Sequence, residues 1–290
     1  MTEIAIAGER FLIDGEVTYR GRSFRGHPVE GLLLNSRMVQ ATFDDANPDT
    51  RERWAYPDTM SWDPERNTTE FLQALPEYRE SGLLAVTVNL QGGSPEGYSS
   101  DQPWDNSAFT AEGELKPPYV ARMTRVLANT DALGMAVILG VFYFGQDQRL
   151  TDELAVVRAL DNTVNWLLAA GHEHVLLKVN NECNVRRYDH EILKPDRVSE
   201  LVERARGITR SGKRLLVGTS YGGGFVPLEN VVRASDFLLV HGNGVSDPKR
   251  IAQMVEETRA VPGYRPMPIL FNEDDHFDFD RPDYNMRAAL

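Results

Sequence analysis

Two apolar runs in this 290-residue chain end in Asn-Glu. One reads Lys178-Val-Asn-Asn-Glu182-Cys-Asn184, the other Ile269-Leu-Phe-Asn272-Glu273-Asp-Asp-His276. A carboxylate placed directly after a buried apolar strand does little for solubility, so its position asks for another reason. Two carboxylates facing each other across a cleft suit hydrolysis of a glycosidic bond. One protonates the departing oxygen and the other attacks the anomeric carbon, with about 5–5.5 Å between them when configuration is retained. Such a pair needs environments that separate the two pKa values. Burial and the charge of Glu273 are expected to raise the pKa of Glu182. That expectation implies a bell-shaped pH profile on the acidic side of neutral.

The elements that must position these groups read as a repeated unit of apolar strand, polar loop and amphipathic helix. Strands are predicted over residues 29–34, 83–90, 135–142, 175–179, 215–219, 237–240 and 269–271. Most are continuous apolar runs, as expected of parallel strands covered on both faces. Helices are predicted over residues 68–81, 117–133, 152–170, 195–209, 228–233 and 248–259, with Pro195 and Pro248 near helix starts. Ahead of them, Phe11-Leu-Ile-Asp-Gly15 and Val17-Thr-Tyr19 read as a β-hairpin turning at Asp14-Gly15. The alternation predicts an α/β fold of the TIM-type (β/α)8 barrel kind, forming one catalytic domain over residues 1–290. Seven strands are countable, residues 282–290 read as a seventh helix, and no eighth strand follows. The barrel is therefore expected to be C-terminally incomplete, with open sheet edges through which copies could associate.

Lys and Arg total 31 against 43 Asp and Glu, a net charge of −12, which repels nucleic acid and anionic lipid. No run approaches a membrane span and no signal peptide is visible at Met1–Glu9. A cytoplasmic protein is the expectation, or a secreted one whose leader has been removed. The lone Cys183 cannot form an internal disulfide and reads as a small packed residue.

The Phe-Leu-Ile-Asp-Gly hairpin, Asn181-Glu182 ending strand four, Glu273 ending strand seven and His241 after strand six together resemble glycoside hydrolase clan A, and within it the cellulase-like family 5. The resemblance covers the order of elements over nearly the whole chain. It implies that Glu182 is the acid/base, Glu273 the nucleophile and Asn181 the partner of a sugar 2-hydroxyl. It also implies a carbohydrate substrate, with β linkages, and no cofactor or metal. The chain departs from the pattern in several places. Asn243 stands where a Tyr often follows the strand-six His. Strand two ends in Asn89-Leu-Gln91 without an Arg, a role that falls to Arg37. Strand three ends in Tyr143-Phe-Gly-Gln146, where a His is common.

Aromatic residues crowd the predicted loops, namely Trp54, Tyr56, Trp62, Tyr98, Trp104, Tyr143, Phe144, Tyr221 and Phe277. They either stack on sugar rings, with Trp104 and Tyr143 first, or bury apolar area under long loops. The segment 35–67 reads as a substrate-shaping loop. Gly222-Gly-Gly224 lacks the Lys-Ser/Thr partner of a phosphate cradle and reads as a flexible loop. Two rival readings remain. One is a barrel that binds carbohydrate without cleaving it. The other is a metal-dependent barrel enzyme using Glu273, Asp274, Asp275 and His276, a segment that otherwise reads as substrate contacts, His276 among them, or an ordinary acidic loop.

Overall fold

A computed structural model describes residues 1–93, 96 and 101–290, so Tyr98 lies outside the described residues. The chain opens with an antiparallel sheet of β1 (Ile4–Ala7), β2 (Arg10–Ile13) and β3 (Glu16–Val17). Asp14 and Gly15 turn β2 into β3 with φ of 53° and 76°, the left-handed pair that a tight hairpin needs. A second small hairpin pairs β4 (Ser23–Phe24) with β5 (His27–Pro28).

Five parallel strands follow in chain order within one sheet. They are β6 (Asn35–Arg37), β7 (Ala85–Asn89), β8 (Ala136–Tyr143), β9 (Val175–Asn181) and β10 (Leu216–Gly218). A parallel pair, β11 (Leu238–His241) and β12 (Ile269–Glu273), continues the series. The bridge between Ser220 and Leu239 joins the end of β10 to β11. At the other side β12 comes to lie beside β6, where Asn35 Nδ2 donates to the Phe271 carbonyl at 3.1 Å. No ladder closes between β12 and β6 among the described residues. The fold is thus an α/β barrel of seven described parallel strands whose last seam is held by side chains.

The helices are α1 (Pro48–Arg51), α2 (Pro64–Glu80), α3 (Pro117–Ala132), α4 (Glu153–Ala170), α5 (Val198–Gly207), α6 (Glu229–Ala234), α7 (Pro248–Ala260) and α8 (Asn285–Ala289). Asp63, Asp152 and Asp247 cap α2, α4 and α7 by accepting from first-turn amides. None is long and apolar enough to cross a membrane. The buried faces of α3, α4 and α5 pack against the outward side chains of β7, β8 and β9 in one large cluster.

The first strand differs from its predicted position. Residues 29–34 carry the apolar pattern, yet the strand is Asn35–Arg37. The apolar run serves the barrel floor instead. Leu33 joins Ile4 and Phe11 against the inward residues Ala85, Ile138, Leu176, Leu239 and Leu270. The N-terminal sheet is fastened there by Ile4 N donating to the Glu173 carbonyl at 3.0 Å, just ahead of β9. Arg37 consequently lies on a strand, and the segment 35–67 contains β6 and α1 rather than one long loop. Helix α5 starts at Val198, later than the predicted Pro195.

Phe11 is 2% exposed within this plug. Phe11→Ala should destabilise the fold by about 3–5 kcal/mol, read from urea unfolding. Phe225→Ala, at a 60% exposed site, should change stability by about 0.5 kcal/mol or less.

Candidate active site

The C-terminal ends of β6, β8, β9, β11 and β12 bring Arg37, Tyr143, Asn181, His241 and Glu273 together, and Glu182 follows β9 by one residue. Glu182 adopts φ of 52°, a left-handed conformation rare for a residue with a side chain. Its amide donates to Ser220 Oγ at 2.9 Å, and its carbonyl accepts from Val185 N at 2.9 Å. Both bonds hold the turn that directs the carboxylate to His241. Such a conformation costs about 1–3 kcal/mol and persists only where surrounding contacts enforce it.

His241 sits between the two carboxylates. Its Nδ1 lies 2.9 Å from Glu182 Oε1 and 3.3 Å from Glu273 Oε2. Its Nε2 lies 3.1 Å from Asn272 Oδ1. One oxygen of each carboxylate and the ring nitrogen all lie within 4.8 Å of one another. Arg37 Nη1 pairs with Glu273 Oε2 at 2.8 Å and reaches Asn181 Oδ1 at 3.3 Å, while Arg37 Nη2 donates to the Tyr143 hydroxyl at 3.4 Å. Asn243 Nδ2 donates to Glu182 Oε1 at 3.3 Å. The position that departs from the family pattern thus still faces the acid/base candidate.

Both carboxylates are buried, Glu182 at 7% and Glu273 at 5% exposure. Burial alone pushes the Glu182 carboxyl up, but the His241 bond and charge, the Asn243 bond and the Arg37 charge outweigh it. The net direction is down, the reverse of the expectation from sequence. The reason is that the sequence did not reveal a donor at 2.9 Å. With acceptors at both nitrogens, the His241 ring is satisfied in two ways. It is doubly protonated beside two carboxylates, or it is singly protonated with the second proton on Glu182.

Beneath this layer lies Lys178, fully buried in the middle of β9. Its Nζ donates to Asn181 Oδ1 at 2.8 Å. Burial, with the nearby Arg37 charge, brings its amine down to about 7, against the pull of Glu273 and Glu182. Gly140 makes room for this floor, because a Cβ there would stand 2.2 Å from Asn89 Oδ1 and 3.1 Å from Lys178 Cε. Asn89 is therefore inside the barrel and buried, below the carboxylates. Neither Lys178 nor Asn272 was singled out from sequence. The available signal for Lys178 was a single charge inside an otherwise apolar strand.

Other candidates lie elsewhere. Trp104 is 1% exposed and edge-on to Trp54, with ring centroids 5.8 Å apart, in an aromatic cluster with Phe43. Gln146 is fully buried and spends its amide on Trp104 O at 2.9 Å and Asn106 N at 3.0 Å. Tyr221 belongs to the core cluster that holds Cys183. Tyr143 is buried but reaches the site through its hydroxyl, whose pKa burial raises to about 12. The glycine loop packs closely, since a Cβ at Gly223 would lie 1.8 Å from the Asn243 carbonyl. It thereby supports the Asn243 segment.

The proposed metal cluster divides. His276 Nδ1 pairs with Asp274 at 3.1 Å and Asp275 at 2.9 Å, whereas the Glu273 carboxylate turns to Arg37 and His241. Glu182, His241 and Glu273 also carry ligand atoms at metal-binding separations. Arg37 at 2.8 Å from Glu273 supplies positive charge where a cation would have to sit.

His241→Ala removes the 2.9 Å partner and leaves burial and the Glu273 charge to act on Glu182. The Glu182 carboxyl should then titrate at higher pH in 13C NMR of the side-chain carboxyl. An unchanged or lower midpoint would show that His241 does not govern its ionisation.

No family model matches the chain, and no curated protein matches it in sequence. Solved structures do match in fold. A glycoside hydrolase family 5 structure from Bacteroides vulgatus superposes with a TM-score of 0.57 at 12% identity, over 99% of this chain and 57% of that one. A β-mannanase from the blue mussel Mytilus edulis gives 0.52 at 10% identity, over 96% of this chain and 93% of that one. An exo-β-1,4-mannosidase from an Opitutaceae bacterium gives 0.55 at 13% identity, over 90% and 50%. The chain spans 57% of the length of the Bacteroides structure. The fold is that of the family 5 glycoside hydrolase barrels.

Proposed function

We propose that this protein is a retaining glycoside hydrolase that cleaves β-linked O-glycosidic bonds by double displacement. The observation that carries the reading is the buried pair Glu182 and Glu273, with oxygens within 4.8 Å of each other and of a shared His241 nitrogen. That spacing suits direct attack by one carboxylate and leaves little room for an intervening water. The solved neighbours described as mannanase and mannosidase make β-mannosides the first substrates to try.

Glu273 is the nucleophile. Arg37 at 2.8 Å holds it in one orientation. It attacks the anomeric carbon while Glu182 protonates the departing oxygen. The donated proton is the one Glu182 shares with His241 Nδ1. Glu182 then takes a proton from water as the water displaces Glu273 and releases the sugar. The oxygen of Tyr143 and the amides of Asn181 and Asn243 line the same layer as polar partners for sugar hydroxyls. Because the Glu182 carboxyl is held low in the free protein, its protonated form becomes scarce as pH rises. The alkaline limb of kcat/KM should therefore fall on the acidic side of neutral.

The test is a hydrolysis screen over aryl β-glycosides and soluble β-linked polysaccharides, with each variant checked by circular dichroism. Glu182→Ala and Glu273→Ala should each lose activity by at least about 10²–10⁴-fold. Azide should partly restore Glu182→Ala on a substrate with a good leaving group. Folded wild-type protein that binds these sugars without cleaving them, with binding unchanged in Glu273→Ala, would contradict the reading.

A further inference from the structure

We infer that Lys178 is a positioning residue that fixes the Asn181 amide as a hydrogen-bond donor to an acceptor oxygen of a bound sugar. This rests on the glycosidase reading of the site. Lys178 Nζ donates to Asn181 Oδ1 at 2.8 Å, and Arg37 Nη1 approaches the same oxygen at 3.3 Å. Guanidinium and ammonium groups are donors only, so together they hold the amide oxygen toward themselves. The amide nitrogen must then face the other way. Asn181 Nδ2 is fully buried and has no hydrogen-bond partner among the described residues. A buried unpartnered donor is costly, and a ligand oxygen is the natural group to satisfy it.

The charge on Lys178 makes this orientation conditional. The charged and titratable groups around the floor are Arg37 on β6, Tyr143 on β8, Glu182 beyond β9, His241 on β11 and Glu273 on β12. Lys178 is wholly enclosed among these strands, with its stem over Gly140. As an ammonium it only donates. As a neutral amine it also accepts, and Asn181 can then rotate its NH2 toward Lys178 and its oxygen away. Deprotonation therefore weakens the selection of one amide orientation, and burial places that event near neutral pH, at about 7. The consequence is a second inflection in sugar recognition, separate from the titration of Glu182.

The test follows the Asn181 side-chain amide by 1H–15N NMR, with the resonance identified by its loss in Asn181→Ala. In the wild type its shifts should move with pH around a midpoint near neutrality. Lys178→Met should abolish that movement, and Lys178→Gln should restore the hydrogen bond without the titration. In kinetics, Lys178→Met and Asn181→Ala should each lower kcat/KM by about ten-fold, and the double variant no further than either alone. Lys178→Gln should recover part of the loss, and it carries the test if Lys178→Met does not fold. Additive losses in the double variant, or an amide titration that persists in folded Lys178→Met, would overturn the inference. An amide that responds to Lys178 in a protein that cleaves no glycoside leaves the positioning intact and removes the glycosidase reading.

Discussion

The structure is organised around the cost of holding two carboxylates close together out of water. Unit charges 4–5 Å apart repel by about 3–4 kcal/mol at an effective dielectric of about 20, before desolvation is counted. Glu182 and Glu273 are 7% and 5% exposed, so water does little to relieve this. Relief comes from the protein. Arg37 pairs with Glu273 at 2.8 Å, and His241 approaches both carboxylates. Asn243 donates to Glu182, and Lys178 supplies a buried amine below. The result is a site whose proton content is set by a network rather than by either acid alone.

The same contacts serve the architecture. Strand β12 reaches β6 without a backbone ladder, and the seam is spanned by Asn35 to Phe271 and Arg37 to Glu273. The ion pair that orients the proposed nucleophile thus also holds the barrel together where backbone pairing is lacking. Two strands buried on both faces present Glu182 and Glu273 from rigid elements, which is how precise spacing is kept. The N-terminal hairpin closes the other end with Phe11 and Ile4, so the core beneath the site is packed rather than hollow.

Much of this was legible in the sequence because parallel strands buried on both faces write themselves as apolar runs. Strands β7 to β12 and helices α2 to α7 fall within a few residues of their predicted places. The first strand was misplaced because Val29 to Leu34 carries a strand-like pattern for another reason, the plugging of the barrel floor by Leu33. The carboxylates, Asn181 and His241 were singled out from their positions at strand ends, and the structure brings them together. Trp104, Gln146 and Tyr221 were chosen by residue type, and the structure packs Trp104 against Trp54, bonds Gln146 to Trp104 and sets Tyr221 in the core cluster with Cys183. Lys178 was overlooked because a lysine in an apolar run carries no sign of its partner until Asn181 is seen folded back over it. The direction of the Glu182 shift likewise depends on a 2.9 Å contact made across 59 residues of chain.

The most direct test of the central claim is the configuration of the first product. An aryl β-glycoside that the protein cleaves should be followed by 1H NMR of the anomeric proton before mutarotation sets in. The proposed mechanism leads to a β-configured product, from two displacements through Glu273. An α-configured first product would mean a single displacement by water, and would contradict the assignment of Glu273 as nucleophile.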